Sequence, residues 1–215
     1  MNLYRYLWIF ILIINYSIYS QSIDSNFTLV IDPGHGGKDP GNTGNGYLEK
    51  KIALSIGLKI GERLKKYKNI SVIYTRKTDV FVDLYRRAKI ANDVQADLFI
   101  SIHCDAHTSN AYGAGTFVLG LHANERNFKI AQKENSVIFL EDDYQQKYEG
   151  FDPNNPESVI SLVLMQEDYL DKSIVAANFI QKSFVNRLKR RDRTVKQAGF
   201  LVLRNTFMPS VLVET

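Results

Sequence analysis

Short apolar runs alternate with amphipathic segments along the chain from residue 28 onward. Runs typical of buried strands occupy residues 28–31, 70–74, 98–102, 116–119, 200–203 and 211–213. Helical periodicity begins at Glu49, where Ile52, Ile56, Ile60 and Leu64 recur every four residues, and it returns over residues 84–94 and 174–188. Strands that alternate with helices predict an α/β fold with a mostly parallel, twisted sheet flanked by helices.

One segment, from about residue 134 to residue 171, does not follow this alternation. It is rich in acidic and amide residues, and Pro153 and Pro156 interrupt it. An α/β unit does not need this much additional chain, so we interpret the segment as an insertion on the surface. A mobile loop without a regulatory role is the alternative interpretation.

Composition limits the class of protein. A chain of 215 residues is long enough for one domain with a sizeable core, which we place at residues 28–215. Its 45% apolar and 23% charged residues exclude disorder or a coiled coil for the whole chain. The net charge of +4 does not argue for a nucleic-acid partner. The basic stretch 189–193 is interpreted as a solvated helix end.

The first twenty residues have the pattern of a secretory signal peptide. Arg5 is their only charge, an apolar run covers residues 7–14, and the small residues Ser17 and Ser20 precede a predicted linker at 21–27. The apolar run is too short to span a bilayer comfortably, although an uncleaved membrane anchor remains the alternative. The sole cysteine, Cys104, excludes an intrachain disulfide. The leader pattern therefore predicts export from the cytoplasm.

Polar residues follow the predicted strands where α/β folds place their sites. His35 follows the first strand, His103 follows the third, and Glu49 begins the adjacent helix. Two histidines and one carboxylate form a catalytic zinc set with one open position, and zinc supplies the Lewis acid that amide hydrolysis requires. Glu214 ends the last strand, where a carboxylate could accept a proton from water and pass it to a leaving amine. Each residue alone also has a structural interpretation, and their joint placement favours the chemical one.

Five motifs, in order, extend this pattern over nearly all of the chain after residue 28. They are the stretch Ile31-Asp32-Pro33-Gly34-His35-Gly36-Gly37; Leu48-Glu49-Lys50; Tyr74-Thr75-Arg76 with Asp79; residues 87–92 running into 97–103; and Pro209-Ser210-Val211-Leu212-Val213-Glu214-Thr215. Together they resemble the zinc-dependent N-acetylmuramoyl-L-alanine amidases of the AmiA/AmiB/AmiC type (amidase type 3). The resemblance implies that His35, Glu49 and His103 hold one zinc ion and that Glu214 is the catalytic carboxylate.

The resemblance also implies a substrate and a mode of regulation. The substrate would be the amide between N-acetylmuramic acid and L-alanine in peptidoglycan, cut during daughter-cell separation. In such enzymes a helical insertion in this region blocks the active site until an activator protein removes it. We expect Glu157 or Glu167 to occupy the open zinc position. Arg76, Asp79 and Arg87 are expected to tie loops and helix ends together through charged hydrogen bonds. Family members continue past the Glu-Thr pair, so further residues are expected after Thr215.

Two alternative functions use the same residues. One is a zinc hydrolase of the same fold that acts on a different amide, since fold and metal determine the reaction type more firmly than the substrate. The other is a non-catalytic module that binds peptidoglycan in the same groove. The presence of His35, Glu49, His103 and Glu214 disfavours the second alternative, because a binding module needs no metal beside a base.

Overall fold

A computed structural model describes residues 26–104, 112–121, 124–160 and 167–215. The predicted signal peptide and most of the predicted linker lie outside the described residues. The strands are β1 (Phe27–Pro33), β2 (Thr43–Gly44), β3 (Tyr47–Leu48), β4 (Ile70–Tyr74), β5 (Leu98–His103), β6 (Ala114–Leu119), β7 (Asp192–Ala198) and β8 (Ser210–Glu214). The α-helices are α1 (Glu49–Leu64), α2 (Leu84–Asp93), α3 (Glu125–Asn135), α4 (Tyr144–Lys147), α5 (Glu167–Asn186) and α6 (Leu201–Arg204). Short 3₁₀ helices cover Ser136–Leu140 and Pro156–Val159.

Six strands form one sheet in the order β4-β1-β5-β8-β6-β7. Four of the five neighbouring pairs are parallel, and only β6 runs antiparallel to β8. The α/β class and the mostly parallel sheet predicted from the sequence are therefore confirmed. The carboxyl ends of β1, β5 and β8 meet at one edge of this sheet, and the short hairpin β2–β3 connects β1 to α1.

Helix α1 approaches the sheet through small residues. Ala53, Gly57 and Gly61 are its buried positions after Glu49, whereas the isoleucines flank this line and are partly buried. A Cβ atom at Gly61 would lie 1.6 Å from the Tyr74 hydroxyl oxygen, so no larger residue fits there. The close approach justifies the conformational cost of glycine inside a helix, and it brings the first turn of α1 against the ends of β1 and β5.

The sheet is covered on both faces. One apolar cluster contains Phe99, Phe117, Phe200, Leu203 and Leu212, and the opposite face is packed by α1 and α5. Phe117 and Phe200 contact edge to face at 5.2 Å between ring centroids. None of the helices in the described part of the chain has the length and apolarity needed to cross a bilayer.

Two predictions about the C-terminal third are wrong. Residues 200–203, predicted as a strand, form the start of the buried helix α6, whose four residues are too few to show helical periodicity. The basic stretch 189–193, predicted as a helix end, instead leads into the edge strand β7. Charged side chains are common on edge strands because they discourage pairing with other chains, and here they obscured the strand pattern.

Candidate active site

The candidate site lies at the sheet edge where β1, β5 and β8 end. His35 follows β1, and His103 is the last residue of β5. In the parallel pair β5–β8, His103 is in register with Glu214. Glu49 is the first residue of α1, so all four of these predicted residues lie at the same edge.

The structure adds a fourth side chain that could bind a metal to His35, Glu49 and His103. Glu134, in the last turn of α3, joins them in a buried group whose ligand atoms all lie within 4.8 Å of one another, the one such group in the described part of the chain. Nε2 of His35 lies 3.1 Å from Oε1 of Glu49 and 3.2 Å from Oε2 of Glu134. Nδ1 of His103 lies 3.3 Å and 3.0 Å from the same two oxygens.

This arrangement fits a zinc ion. Ligands about 2.0–2.1 Å from zinc in a tetrahedron lie roughly 3.3–3.4 Å from one another, close to the four measured separations. His35 Nε2, His103 Nδ1 and Glu134 Oε2 are buried without a well-formed hydrogen bond to any described residue. Buried polar atoms are seldom left without such a bond, and three of them aimed at one point are what a metal site requires.

Asp39 determines the orientation of His35. Its Oδ2 atom lies 2.7 Å from Nδ1 of His35, which leaves Nε2 directed toward Glu49 and Glu134. A carboxylate behind a metal-binding histidine fixes the tautomer and the ring orientation. His35 itself has a φ of 59°, a left-handed conformation that is uncommon outside glycine. The loop is thus shaped to present this ring.

The charges of the four groups depend on one another. Burial alone would lower the pKa of His35, but the nearby carboxylates of Asp39, Glu134 and Glu49 raise it to about 12. Burial opposes the charged form of His103 in the same way, whereas the charge of Glu134 contributes most to raising its pKa to about 10. Burial would raise the pKa values of Glu49 and Glu134, yet the two histidines hold both well below the usual range. The two histidines and the two glutamates therefore stabilise each other's charged forms.

Glu49 is held by three donors. Its Oε1 atom accepts a hydrogen bond from the Cys104 backbone N–H at 2.7 Å. Its Oε2 atom accepts from the backbone N–H and from the side-chain amide of Asn42, at 2.8 and 2.6 Å. The Cys104 thiol contacts the Thr215 hydroxyl at 3.2 Å and is not part of the metal-binding group. Burial raises the pKa of this thiol to about 11.

Two buried arginines hold the loop that carries His35. Arg87 pairs with Asp32 at 2.7 Å and donates to the carbonyl oxygens of Pro33 and His35. Arg76 donates to the carbonyl oxygens of Pro33 and Gly34. These contacts are the ties between loops and helix ends that the sequence predicted for both arginines. Asp79 contributes in the same manner, by accepting from the Gly37 N–H and pairing with Lys50.

Glu214 is buried beside the metal-binding group and is not a member of it. It lies in register with His103 on one side and with Gly115 of β6 on the other, and only 1% of its surface is exposed. Its position next to the group, without membership in it, suits a carboxylate that acts on a bound water or substrate.

The insertion contributes a different residue from those predicted. Glu157 is exposed on a 3₁₀ helix, and the side chain of Glu167 lies outside the described residues. Glu134 reaches the site because helix α3 begins at Glu125, before the predicted start of the insertion, and its inward face comprises Asn127, Ala131, Glu134 and Asn135. A helical pattern with a charged residue on its inward face was the signal that could have identified Glu134.

Further contacts seat the insertion against the sheet. The buried Asn135 amide accepts from the Leu201 N–H and donates to the Gly199 carbonyl, at 2.8 and 2.7 Å. Glu141 accepts from the Leu84 N–H at the start of α2 and from the Tyr148 hydroxyl. A small apolar cluster completes the contact and consists of Ile138, Tyr148, Phe151 and Leu201.

The chain is similar to known proteins of one family. The sequence profile of the N-acetylmuramoyl-L-alanine amidase family matches residues 29–215. The chain is 36% identical to amidase AmiA of Salmonella typhimurium, over 91% of this chain and 67% of that protein. It is 32% identical to AmiC of Escherichia coli, over 89% of this chain but 46% of that protein. This chain thus spans between about half and two thirds of the length of these relatives.

A solved structure shares the fold. The N-acetylmuramoyl-L-alanine amidase from Clostridium difficile 630 superposes with a TM-score of 0.63 at 28% identity, covering 88% of this chain and 80% of that one. The profile match spans most of the chain, the relatives exceed 30% identity, and the solved structure repeats the architecture. The chain is therefore a member of the N-acetylmuramoyl-L-alanine amidase family.

Proposed function

We propose that this protein is an exported, zinc-dependent amidase that hydrolyses the bond between N-acetylmuramic acid and L-alanine in peptidoglycan. The observation that carries the proposal is the group of four buried ligand atoms at a sheet edge, with Glu214 beside it. Family membership supports the substrate, since the relatives named above are amidases of this specificity. The predicted signal peptide supports a periplasmic location.

Each side chain has a distinct role in this proposal. His35, Glu49 and His103 would hold one zinc ion, and Asp39 would keep the His35 ring in its binding tautomer. Zinc would supply a Lewis acid that polarises the amide carbonyl and makes water a nucleophile near neutral pH. Glu214 would accept a proton from that water and deliver it to the leaving amine.

The insertion is proposed to inhibit the enzyme. A catalytic zinc site keeps one coordination position open for water or substrate. Glu134 fills the fourth corner of the group, and all four side chains are at most 8% exposed. In this arrangement neither water nor an amide carbonyl can reach the metal. The enzyme would therefore be inactive until Glu134 withdraws.

An activator protein is the proposed cause of that withdrawal. In the described part of the chain, the insertion is attached by hydrogen bonds of Asn135 and Glu141 and by the apolar cluster around Ile138 and Tyr148, all at the surface of the sheet domain. A partner that binds the insertion could release it without unfolding the sheet. The biological setting that fits export and inhibition is controlled cleavage of septal wall during separation of daughter cells.

The decisive experiment uses the purified protein, Glu134→Ala and the double variant Glu134→Ala/Glu214→Gln. Bound zinc would be measured by atomic absorption, and stem-peptide release from purified peptidoglycan by chromatography. We expect all three proteins to bind zinc. The parent should release few stem peptides, Glu134→Ala should release more, and the double variant should release none.

Other outcomes separate the alternatives. Absence of zinc from every protein would refute the mechanism. If zinc is bound and the parent and Glu134→Ala release stem peptides equally, inhibition by Glu134 would be refuted, whereas the amidase activity would stand. Zinc with no release by any variant would favour a hydrolase of another amide, and tight peptidoglycan binding without zinc would favour the binding module.

A further inference from the structure

Asn42 makes an unusual number of contacts with Glu49. It lies just before the hairpin β2–β3, and Glu49 just after it. Its carbonyl oxygen accepts from the Glu49 N–H at 2.9 Å, and its own N–H donates to Glu49 Oε2 at 2.8 Å. Its side-chain Nδ2 donates to the same Oε2 at 2.6 Å. The two residues are therefore joined through both their backbones and their side chains.

The surroundings fix the orientation of the Asn42 amide. Nδ2 lies near two acceptors, Glu49 Oε2 and, at 3.1 Å, the Cys104 carbonyl oxygen. Oδ1 accepts a hydrogen bond from the Lys133 ammonium, a donor on helix α3. A reversed amide would place oxygen against oxygen and nitrogen against ammonium, so only one orientation satisfies all three neighbours. The amide therefore donates permanently to Glu49.

This donation affects which oxygen of Glu49 faces a metal. The two histidines lie against Oε1, whereas Asn42 occupies Oε2. A hydrogen bond to a carboxylate is stronger than one between neutral groups. It opposes rotation of the carboxylate and keeps Oε2 away from the metal. Glu49 is thus constrained to contribute one oxygen.

We propose that Asn42 is a positioning residue that orients Glu49 for zinc binding through one oxygen, and that helix α3, which leads into the insertion, engages the same amide through Lys133. This inference rests on the proposed function, since it concerns one of the proposed zinc ligands. Lys133 and Glu134 are adjacent on α3, so seating the insertion brings one residue to the metal-binding group and the other to Asn42.

The test compares Asn42→Asp and Asn42→Ala with a control change at Asn45. Asn45 is exposed at the tip of the same hairpin and has a φ of 49°, which Asp tolerates, so Asn45→Asp alters charge in the same loop, away from Glu49. Zinc affinity would be measured by competition with a chromophoric chelator, and geometry by the visible absorption of the Co²⁺-substituted proteins. Thermal unfolding of the metal-free proteins reports whether each variant folds.

We expect Asn42→Asp to weaken zinc binding by about 10–100-fold, the range found when partners of metal ligands are removed. Asn42→Ala should weaken it less, because it removes a donor without adding a negative charge, and should alter the Co²⁺ spectrum. Asn45→Asp should match the parent. The effect should persist in a Glu134→Ala background, because Asn42 acts through Glu49.

Equal zinc affinity and equal Co²⁺ spectra in the parent and both Asn42 variants would overturn the inference. In that case a zinc-loaded parent whose Glu134→Ala variant is active would leave the proposed function intact. A parent that binds no zinc would instead refute the proposed function, and with it the role of Asn42.

Discussion

Asp39 is the residue that would decide which nitrogen of His35 is available to the proposed zinc ion. An imidazole offers two nitrogens, and a carboxylate at Nδ1 selects Nε2 for coordination. Asp39 also accepts from the Gly41 N–H at 3.0 Å, so the loop backbone holds the carboxylate in turn. His35, the proposed metal ligand, is therefore supported by a short chain of hydrogen bonds within its own loop.

We expect Asp39→Asn to weaken zinc binding by about 10–100-fold, because the amide no longer stabilises the binding tautomer of His35. Chelator competition measures this change. Asp97→Asn is the matched control, since Asp97 also accepts a 2.7 Å hydrogen bond, from the Thr28 N–H at the opposite edge of the sheet. Equal losses in the two variants would argue against a role for Asp39 in orienting His35.

The raised histidine pKa values predict how the metal-free protein responds to pH. The stabilising contribution of His35 and His103 is complete below their ordinary pKa of 6.5. It is lost as the pH rises toward the raised pKa values, which are about 10 for His103 and about 12 for His35. Glu49 and Glu134, with lowered pKa values, contribute fully above 4.5 and lose their contribution on acidification. The metal-free unfolding temperature should therefore fall steadily between pH 6.5 and pH 9.

Zinc should reverse this trend. Its ligands must be deprotonated, so the stabilisation that zinc adds should grow over the same pH range. Calorimetry of metal-free and zinc-loaded protein at pH 6, 7.5 and 9 measures both effects. A flat metal-free profile would contradict the proposed charge balance, and Glu134→Gln should show a shallower slope than the parent.

Helix α3 is the element that connects the insertion to the metal-binding group. Its inward face carries Ala131 and Asn127 against the core, followed by Glu134 at the site and Asn135 against residues 199–201. Asn135 thus anchors the same helical turn that carries Glu134. A substitution that removes the hydrogen bonds of Asn135 should therefore also weaken the contacts of Glu134 with His35 and His103.

We expect Asn135→Ala to raise basal peptidoglycan hydrolysis by roughly fivefold or more. The substitution removes two buried hydrogen bonds, a loss of about 1–3 kcal/mol that favours the released insertion. Gln132→Ala, which removes an exposed contact with Asn154 from the same helix, is the control. Unchanged basal activity in Asn135→Ala, alongside activation by Glu134→Ala, would show that Asn135 does not hold the insertion closed.

The sequence predicted the elements that bury apolar runs or carry a clear period. Strand β4 and helix α1 follow their patterns closely, because a buried strand and an amphipathic helix impose simple spacings. Strand β7 was missed because its exposed charges hide the strand pattern, and α6 because four buried residues resemble a strand. The antiparallel direction of β6 depends on tertiary packing and has no local signal.

The candidate site was predictable in part for similar reasons. His35, Glu49 and His103 lie at strand and helix ends, which can be located from the sequence. Asp39 and Asn42 act through loop geometry, and their partners become apparent only once the loop is folded. Glu134 is distant in sequence from the other ligands, and only packing of α3 on the sheet brings it to them.

Asp32 joins several elements of the whole molecule around one buried carboxylate. It pairs with Arg87 of α2 and accepts from Thr75, after β4, and from Ser101 of β5. Burial would raise its pKa, but Arg87 and the two hydroxyls hold it below the usual value. The global stability of the fold should therefore depend on this pair.

We expect Arg87→Met to lower the free energy of unfolding by about 3–5 kcal/mol, because it leaves the Asp32 carboxylate buried without its partner. Denaturant titration measures the loss. The exposed neighbour Arg86 provides the control, and Arg86→Met should change stability by no more than about 0.5 kcal/mol. If both variants lose a similar free energy of unfolding, the loss would come from replacing an arginine on helix α2 and would not report on the Asp32–Arg87 ion pair.

Glu134 belongs both to the insertion and to the metal-binding group, and this double membership has a thermodynamic consequence. If zinc strengthens the attachment of the insertion by some factor, release of the insertion must weaken the retention of zinc by the same factor, because linkage is reciprocal. An activator would then compete with the metal for Glu134. Where free zinc is scarce, release of the insertion would lower the fraction of the enzyme that carries zinc, so the zinc supply would influence how much of the released enzyme is active.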